Sequence, residues 1–300
     1  MALLKLLKPS HRQKTILFKT LEWLPPRLGM SVYYKIQGLA NKGKLEVKLR
    51  AAERSFQVAS RILRSQQMSF ENKVCVELGS GWLPILPYLL LTKGNAKRVD
   101  TYDVNEHYNT SKIEKLNPHF KELFDQKEWR PQGKYSLPES VRYFPKTRIE
   151  EGVLDEADII ISRFVLEHVP PDILKKLHQR FYEQLPVGGC VLHLISPSDH
   201  RAYSDSSLSL YDFLRFSEEE WNAIQTKFDY HNRLRLPQYL AIFKEHFEVI
   251  HVESNACKNP SESYDKFKKL EIHNDFAHFT EEELTAGSIN VLLRKKESIL

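Results

Sequence analysis

The chain of 300 residues predicts an α/β fold, a largely parallel sheet wound on both faces by helices. Three observations carry this reading. Short apolar runs of strand length alternate with longer segments of helical periodicity. One run passes straight into a glycine turn and a helix, at Val74-Cys-Val-Glu77-Leu-Gly79-Ser80-Gly81-Trp-Leu-Pro84. The next run ends on a carboxylate, Asp103, placed 24 residues after Gly79.

Taken in order, residues 10–24 read as a short helix with Ile16, Leu17, Phe18 and Leu21 on its apolar side, stopped by Pro25-Pro26. A Tyr-rich link (Val32-Tyr33-Tyr34) and a break from Gly38 to Gly43 follow. In residues 44–67, Leu45, Leu49, Ala52, Phe56, Ala59 and Leu63 step by four and three along one helical stripe. Strands are expected at 73–77, 98–102, 141–144, 157–162 and 190–195, with helices near 84–93, 106–116 and 171–185. A polar, aromatic stretch runs to about 137. Residues 198–236 interrupt the alternation with polar, aromatic helices. A helix at 237–247, a sixth strand at 248–253, a polar segment to about 286 and a last strand at 288–294 complete the chain.

Composition narrows the class. At 41% hydrophobic and 28% charged, the chain is ordinary for a globular protein, which excludes collagen, disorder and a disulfide scaffold. Cys75, Cys190 and Cys257 form no CxxC pair, so no metal site is expected and a reducing, cytoplasmic setting is. The longest apolar run, Leu83 to Leu91, is too short to span a bilayer, and the N-terminus lacks a cleavage site of signal-peptide type. Charge is uneven. Residues 1–65 carry 14 Lys and Arg against three acids, Glu22, Glu46 and Glu53, while the remainder is net acidic. Such a segment suits anionic partners, a membrane surface included, or is simply a solvated helix surface.

The glycine loop is the informative stretch. Glycines let the backbone approach a ligand, and the helix that follows offers unpaired N–H groups. Asp103 at the end of the second strand can accept hydrogen bonds from a ribose diol. A dinucleotide site wants a third glycine, where this chain has Pro84, and gains nothing from an acid at Glu77. That acid suits a ligand carrying an ammonium or sulfonium group.

Glu77-Leu-Gly-Ser-Gly81 with Asp103 resembles the cofactor loop of class I S-adenosylmethionine-dependent methyltransferases of type 11. Ala157 to Val169, with its Leu-Glu-His-Val turn, is similar to their fourth strand and the turn after it. Leu185 to Leu194 resembles their helix-to-fifth-strand segment, and Ile289 to Lys295 their last strand. The resemblance covers roughly residues 70–295. It implies a Rossmann-like sheet of seven strands with the last one antiparallel, N-terminal helices and a helical insertion after strand five. The domains are then a basic N-terminal segment, 1–68, and a methyltransferase domain, 69–300; the placement of the segment just before strand one and its Tyr pair predict a lid, with Tyr33 or Tyr34 near the methionine end. The resemblance also implies roles. Gly79, Ser80 and Gly81 line the methionine and ribose part, Asp103 holds the ribose hydroxyls, Glu77 acts near the amino end, and Ser162 and Phe164 form the floor. The family's acid near the adenine has only Glu150 and Glu151 as candidates.

For the acceptor, the turn after strand four reads Ile161-Ser-Arg-Phe164 and not the Asn/Asp-Pro-Pro-Tyr/Phe of base and glutamine amine methylation. No cysteine follows a proline, which argues against attack at cytosine carbon five. The 198–236 insertion follows strand five and should cover the acceptor. There, Asp199-His200 is a candidate carboxylate–imidazole base, or else a helix cap beside a surface histidine. His168 is a second candidate base. Arg233 and Arg235, with Tyr203, are candidate substrate contacts; the arginines could equally make salt bridges to the body. Residues 24–37, Asp199-His200, Phe213 to Ser217 and Asn232 to Arg235 also look like bacterial methyltransferases of surface-polysaccharide or sugar biosynthesis. That resemblance implies O-methylation of a small-molecule or glycan acceptor. The alternatives are a non-catalytic scaffold of the same fold and a nucleic-acid methyltransferase using the basic segment, where few aromatics interleave with the charges.

Overall fold

The computed structural model describes residues 11–40, 45–152, 154, 156–256 and 261–296. Three helices lead in: α1 (His11–Glu22), α2 (Pro26–Ala40) and α3 (Leu45–Ser65). Then follow β1 (Val74–Leu78), α4 (Ile85–Thr92), β2 (Arg98–Asp103), α5 (Thr110–Leu116), α6 (Lys121–Gln126) and β3 (Val141–Pro145). The second half runs β4 (Ile159–Arg163), α7 (Pro171–Gln184), β5 (Cys190–Ile195), α8 (Glu218–Ile224), α9 (Leu236–Lys244), β6 (Phe247–Asn255), α10 (Glu262–Phe267), α11 (Glu281–Leu284) and β7 (Ser288–Lys295).

All seven expected strands form, in one sheet of order β3-β2-β1-β4-β5-β7-β6. β1 to β5 are parallel, and β7 runs antiparallel between β5 and β6, as the resemblance implies. The Rossmann-like doubly wound architecture follows from alternation along each strand. Cys75, Val99, Ile159, Ile161, Leu192 and Leu292 face the core shared with α3, α4 and α5. Val76, Ile160, Val191, Val291 and Leu293 face the core shared with α7 and α9. Strands buried on both faces read as unbroken apolar runs, which is why β4 and β5 were so plain in the sequence.

The helices differ from expectation in four places. Val32-Tyr33-Tyr34 lies inside α2, which opens on Pro26, a residue suited to a first helical turn. The expected break at Gly38 to Gly43 gives way to helix through Ala40, and residues 41–44 lie outside the described residues. The aromatic stretch before 137 contains α6, whose Phe124 packs with Phe120 on Tyr88. The segment after β6 contains α10 and α11, helices too short to show periodicity. Among the described residues no helix is long and apolar enough to cross a membrane.

The basic N-terminal segment divides by its packing. α3 buries Ala52, Phe56, Ala59, Ile62 and Leu63 in the main core. α1 and α2 instead close on the insertion, where Phe18 and Leu21 meet Phe228. Part of the positive charge is spent there: His11 pairs with Asp205 at 2.8 Å, Lys14 with Asp229 at 3.7 Å, and Lys19 donates to the Ala223 carbonyl.

The 198–236 insertion has its own small core with the segment before β7, built on Tyr211, Phe213, Trp221, Phe267 and Phe276. The Asn232-Arg-Leu-Arg235 stretch pins it. The Asn232 amide donates to the Leu166 and Val169 carbonyls at 2.7 and 2.8 Å, tying the insertion to the turn after β4. Arg235 is fully buried, and its guanidinium donates to the carbonyls of Arg233, Leu284 and Pro197 at 3.0–3.3 Å. Arg233, also buried, donates to the Phe213 and Phe216 carbonyls and pairs with Glu218 at 2.6 Å. Both arginines are therefore braces of the insertion and not the phosphate or carboxylate clamp read from the sequence, because they are buried away from the cleft with their terminal guanidinium nitrogens on carbonyls and Glu218, Arg233 Nε alone being unpartnered. Arg235→Leu should lower unfolding free energy by about 3 kcal/mol or more, since three carbonyls lose a donor at ~1–3 kcal/mol each; denaturant titration measures it.

Candidate functional site

The chain leaves β1 and β4 in opposite directions, so a crevice opens at their carboxyl ends. It holds a cleft of about 870 Å³. Its floor comes from the loops after β1, β2 and β4, its far wall from the insertion, and its cover from α1 and α2 through Lys14, Thr15, Met30 and Tyr33. Gly79, Gly81, Asp103, Phe164, His168 and His200 all line it, so the fold gathers six of the expected site residues into one cavity.

The glycine loop has the backbone its residues suggest. Gly79 stands at φ +84° and Gly81 at φ +60°. A Cβ on Gly79 would lie 2.4 Å from the Val165 side chain, whereas one on Gly81 would meet nothing within 4 Å. Ser80 points down, its hydroxyl 2.7 Å from that of Thr101, which donates in turn to Glu77. Glu77 and Ser80 thus lie beneath the cleft and do not line it. Burial pushes the Glu77 carboxyl up to about 8, against the pull of Thr101 and of nearby Arg163.

Asp103 ends β2 with its carboxylate at the cleft wall. It accepts the Asn105 N–H at 2.8 Å and faces His107 at 3.7 Å; burial raises its pKa. The Tyr34 hydroxyl donates to Asn105 at 2.6 Å, which ties α2 to the loop carrying Asp103. Tyr33 stacks on Phe228, with ring centroids 5.0 Å apart. Glu150 reaches the cleft, whereas Glu151 is exposed outside it.

Phe164 adopts φ +57°, a left-handed conformation that a phenylalanine takes only under constraint. Its N–H donates to the Leu194 carbonyl at 2.8 Å and the Arg163 guanidinium lies over its ring, which stays part-exposed in the cleft. Ser162 is one layer below. Its hydroxyl donates to His193 Nδ1 at 2.7 Å, His193 Nε2–H to His178 Nε2 at 3.0 Å, and His178 Nδ1–H to the Leu174 carbonyl at 2.7 Å. That chain closes only if both imidazoles are neutral, since a further proton would set two N–H groups head to head.

The acceptor-side residues separate. Asp199 is fully buried, caps its own turn through the Arg201 N–H at 2.9 Å, and pairs with the Arg201 guanidinium at 2.6 Å. It does not serve His200: adjacent residues of a turn project in different directions, and Arg201 offers the stronger charge partner. His200 instead joins His168 and His231, with centroids 4.9 and 4.4 Å from it. Burial holds all three low, His200 at about 3 and His231 at about 2, so these imidazoles are neutral. Tyr203 stacks on His200 at 4.9 Å and is largely exposed outside the cleft, its hydroxyl 2.6 Å from that of Ser198. His231, Trp82, His107 and Arg163 are cleft residues that were not picked out in the sequence. Only tertiary proximity marks them, although four histidines in loops that the fold sends to one sheet edge were a usable signal.

No family model and no curated protein sequence matches the chain. Solved structures with a similar course of chain include NodS, an N-methyltransferase of Bradyrhizobium japonicum WM9 in complex with S-adenosyl-L-homocysteine. It is 13% identical, over 94% of this chain and 99% of that one, with TM-score 0.46. Magnesium protoporphyrin IX methyltransferase of Synechocystis PCC 6803, with the same ligand bound, is 8% identical over 85% and 89%, with TM-score 0.49. Human N-acetylserotonin methyltransferase in complex with S-adenosylmethionine is 15% identical over 75% and 48%, with TM-score 0.40. At these values the likeness carries no assignment of activity.

Two outcomes test this description. Gly79→Ala should destabilise by ~1–2 kcal/mol for its conformation plus ~1–3 kcal/mol for the clash, and Gly81→Ala by the conformational part alone; thermal unfolding of the two separates them. His178, held down at about 4, and His193, held lower still, contribute stability that is present above an unfolded value of about 6.5 and lost as pH falls below it. The stability advantage of wild type over His178→Leu/His193→Leu should therefore shrink between those two pH values.

Proposed function

We propose that this chain is an S-adenosylmethionine-dependent methyltransferase that methylates an oxygen of a small-molecule or glycan-type acceptor. The observation that carries this reading is the pairing of two features in one cleft. At one end stands a twin left-handed glycine loop between the Glu77 and Asp103 carboxyls. At the other stands a group of neutral imidazoles. The residues fit the cofactor on two counts: the space over Gly81 is open, with nothing within 4 Å of where a Cβ would stand, and Glu77 is a buried carboxyl whose ionised form a ligand ammonium would favour.

When bound, the cofactor supplies a sulfonium whose methyl carbon is open to in-line displacement. The chain's own residues position and exclude. The backbone at Gly79 and Gly81 admits the ligand, and Asp103 accepts from the ribose hydroxyls. Glu77 balances the amino end from below, and Glu150 is the acid nearest the adenine. The Phe164 ring forms the floor, with Ser162 held beneath it by His193. His200 or His168 takes the acceptor's hydroxyl proton on a free ring nitrogen, with Tyr203 at the rim beside His200.

We further propose that α1 and α2 act as a lid, since they close the cleft through Tyr33 and are tied to the Asp103 loop through Tyr34. Their outer side exposes Trp23 and Ile16 among lysines and arginines, a surface suited to peripheral contact with anionic lipid at a cytoplasmic face. Nucleic acid is the less favoured partner, because few aromatics interleave with the segment's charges and Lys14 is already paired with Asp229.

Calorimetry with S-adenosylmethionine and S-adenosylhomocysteine tests the core of the reading. Micromolar binding is expected, weakened at least ~10-fold in Asp103→Ala through loss of a charge-assisted hydrogen bond worth ~1.5–3 kcal/mol. With an acceptor found among nucleotide sugars or lipid-linked glycans, His200→Ala should cut kcat by ~10²–10⁴ and spare cofactor affinity. Failure of the wild type to bind either compound, or binding of NAD in their place, overturns the proposal.

A further inference from the structure

The far wall of the cleft carries a group that methyl transfer uses only in part. Glu167 and His168 stand in the turn after β4 and His200 in the turn after β5. One ligand atom from each lies within 4.8 Å of the others. Glu167 is fully buried, and no side chain among the described residues hydrogen-bonds either of its carboxyl oxygens; the groups that act on it are backbone N–H groups, its own and that of Ser196. A buried carboxyl that no side chain meets is uncommon, and an absent ion is one of its ordinary explanations.

The two histidines are set up as ligands. His168 Nδ1–H donates to the Tyr230 carbonyl at 3.0 Å, which fixes the tautomer and leaves the lone pair on Nε2. A backbone carbonyl on the second nitrogen is the usual support of a metal-bound imidazole. No hydrogen bond holds the His200 ring among the described residues; it is kept by stacking on Tyr203 and by its neighbours His168 and His231. His231 is a neighbour and not a ligand, because its Nε2 is engaged with the Ser198 carbonyl at 3.2 Å.

We propose that Glu167, His168 and His200 bind one divalent transition-metal ion of the zinc class, with its remaining coordination positions open to the cleft. Two imidazole nitrogens and one carboxylate oxygen suit such an ion, whereas magnesium and calcium take oxygen ligands almost alone. Three protein ligands leave a position for an exchangeable oxygen, so the ligand class is a hydroxyl, a vicinal diol or a carboxylate of the acceptor. Ligands at ~2 Å from a tetrahedral ion stand ~3.3 Å apart, so the three side chains draw together on binding, with His200 as the one free to swing. A bound ion uses the lone pairs that an imidazole base would use; an acceptor hydroxyl coordinated to it would have a lowered pKa and give its proton to cleft water, in place of abstraction by the ring. The site rests on this geometry alone and stands or falls apart from the methyl-transfer reading.

The test uses the full chain after chelation, titrated with Co²⁺ by visible absorption and with Zn²⁺ by calorimetry. One ion per chain, a micromolar or tighter Kd and cobalt d–d bands are expected. Glu167→Gln, which keeps the shape of the side chain, and His200→Gln should each weaken binding at least ~10-fold, and His278→Ala, at an exposed histidine, should not. Zn²⁺-dependent shifts of the His168 and His200 ring resonances in the wild type give the same reading without a substitution. No stoichiometric binding by the wild type, or binding that both cleft variants leave unchanged, overturns the site and leaves the imidazole base in place.

Discussion

The structure depends on one constraint, the side-by-side pairing of β1 with β4. Cys75 to Leu78 are matched in parallel with Ile159 to Ser162, and both strands are covered on both faces. From β1 the chain passes through α4 to β2 on one side; from β4 it passes through α7 to β5 on the other. Beyond Leu78 and Ser162 the two backbones diverge, and their polar groups face a crevice that no side chain of the core fills. The glycine loop, the Phe164 turn and the Glu167-His168 turn all hang from this edge. Their positions are consequences of a ladder that apolar burial holds in register, and a one-residue slip would reverse every face of β4.

Away from that crevice, much of the buried polarity is matched, although Ser60 Oγ, Ser263 Oγ and Arg233 Nε are left without partners. Arg235 meets three carbonyls, Asp199 and Asp212 share Arg201, and Ser162, His193 and His178 form a chain whose protons are fully assigned. At the crevice the matching fails. Glu167 is buried with no side-chain partner and His107 Nδ1 with none, and Glu77 carries a carboxyl that burial pushes far above its usual range. Phe164 is held left-handed against its preference. The two buried carboxyls that are pushed furthest up, Glu77 and Glu167, and the left-handed Phe164 lie along this one edge, where a ligand can relieve them.

The same division explains what was legible in the sequence. The strands were readable because two-sided burial makes them apolar throughout, and α3 because one wide face meets the core. α6, α10 and α11 were not, being six residues or fewer in length and set by local packing of single aromatics such as Phe124 and Phe267. At the site, Gly79, Gly81 and Asp103 were legible because backbone conformation and strand ends are local properties. Asp199-His200 misled for the converse reason. Adjacency in sequence says nothing of where side chains on a turn point, and the partners of Asp199 and His200 come from tertiary structure, Arg201 with Asp212 for one and His168 with His231 for the other. Arg233 and Arg235 read as ligand contacts because a sequence does not distinguish a guanidinium facing solvent from one that ties carbonyls together inside an insertion.

The roof of the cleft shows how access follows from packing. The two N-terminal helices and the insertion are remote in sequence, and they meet over the cavity at Phe228, which is shared by Phe18 and by Tyr33. The apolar cluster at that seam contains Phe18, Leu21 and Phe228 as its buried members, small beside the two cores that flank the sheet. The ion pairs around it, such as Lys14 with Asp229, are part-exposed, and pairs of that kind add little. Opening the seam therefore gives up far less burial than disturbing the floor, so α1 and α2 are the elements that local opening would release first. The Tyr34–Asn105 hydrogen bond places one end of the same cover on the loop that follows Asp103, which is otherwise held by Tyr143 and by the pairing of Glu106 with Lys134 and Lys146.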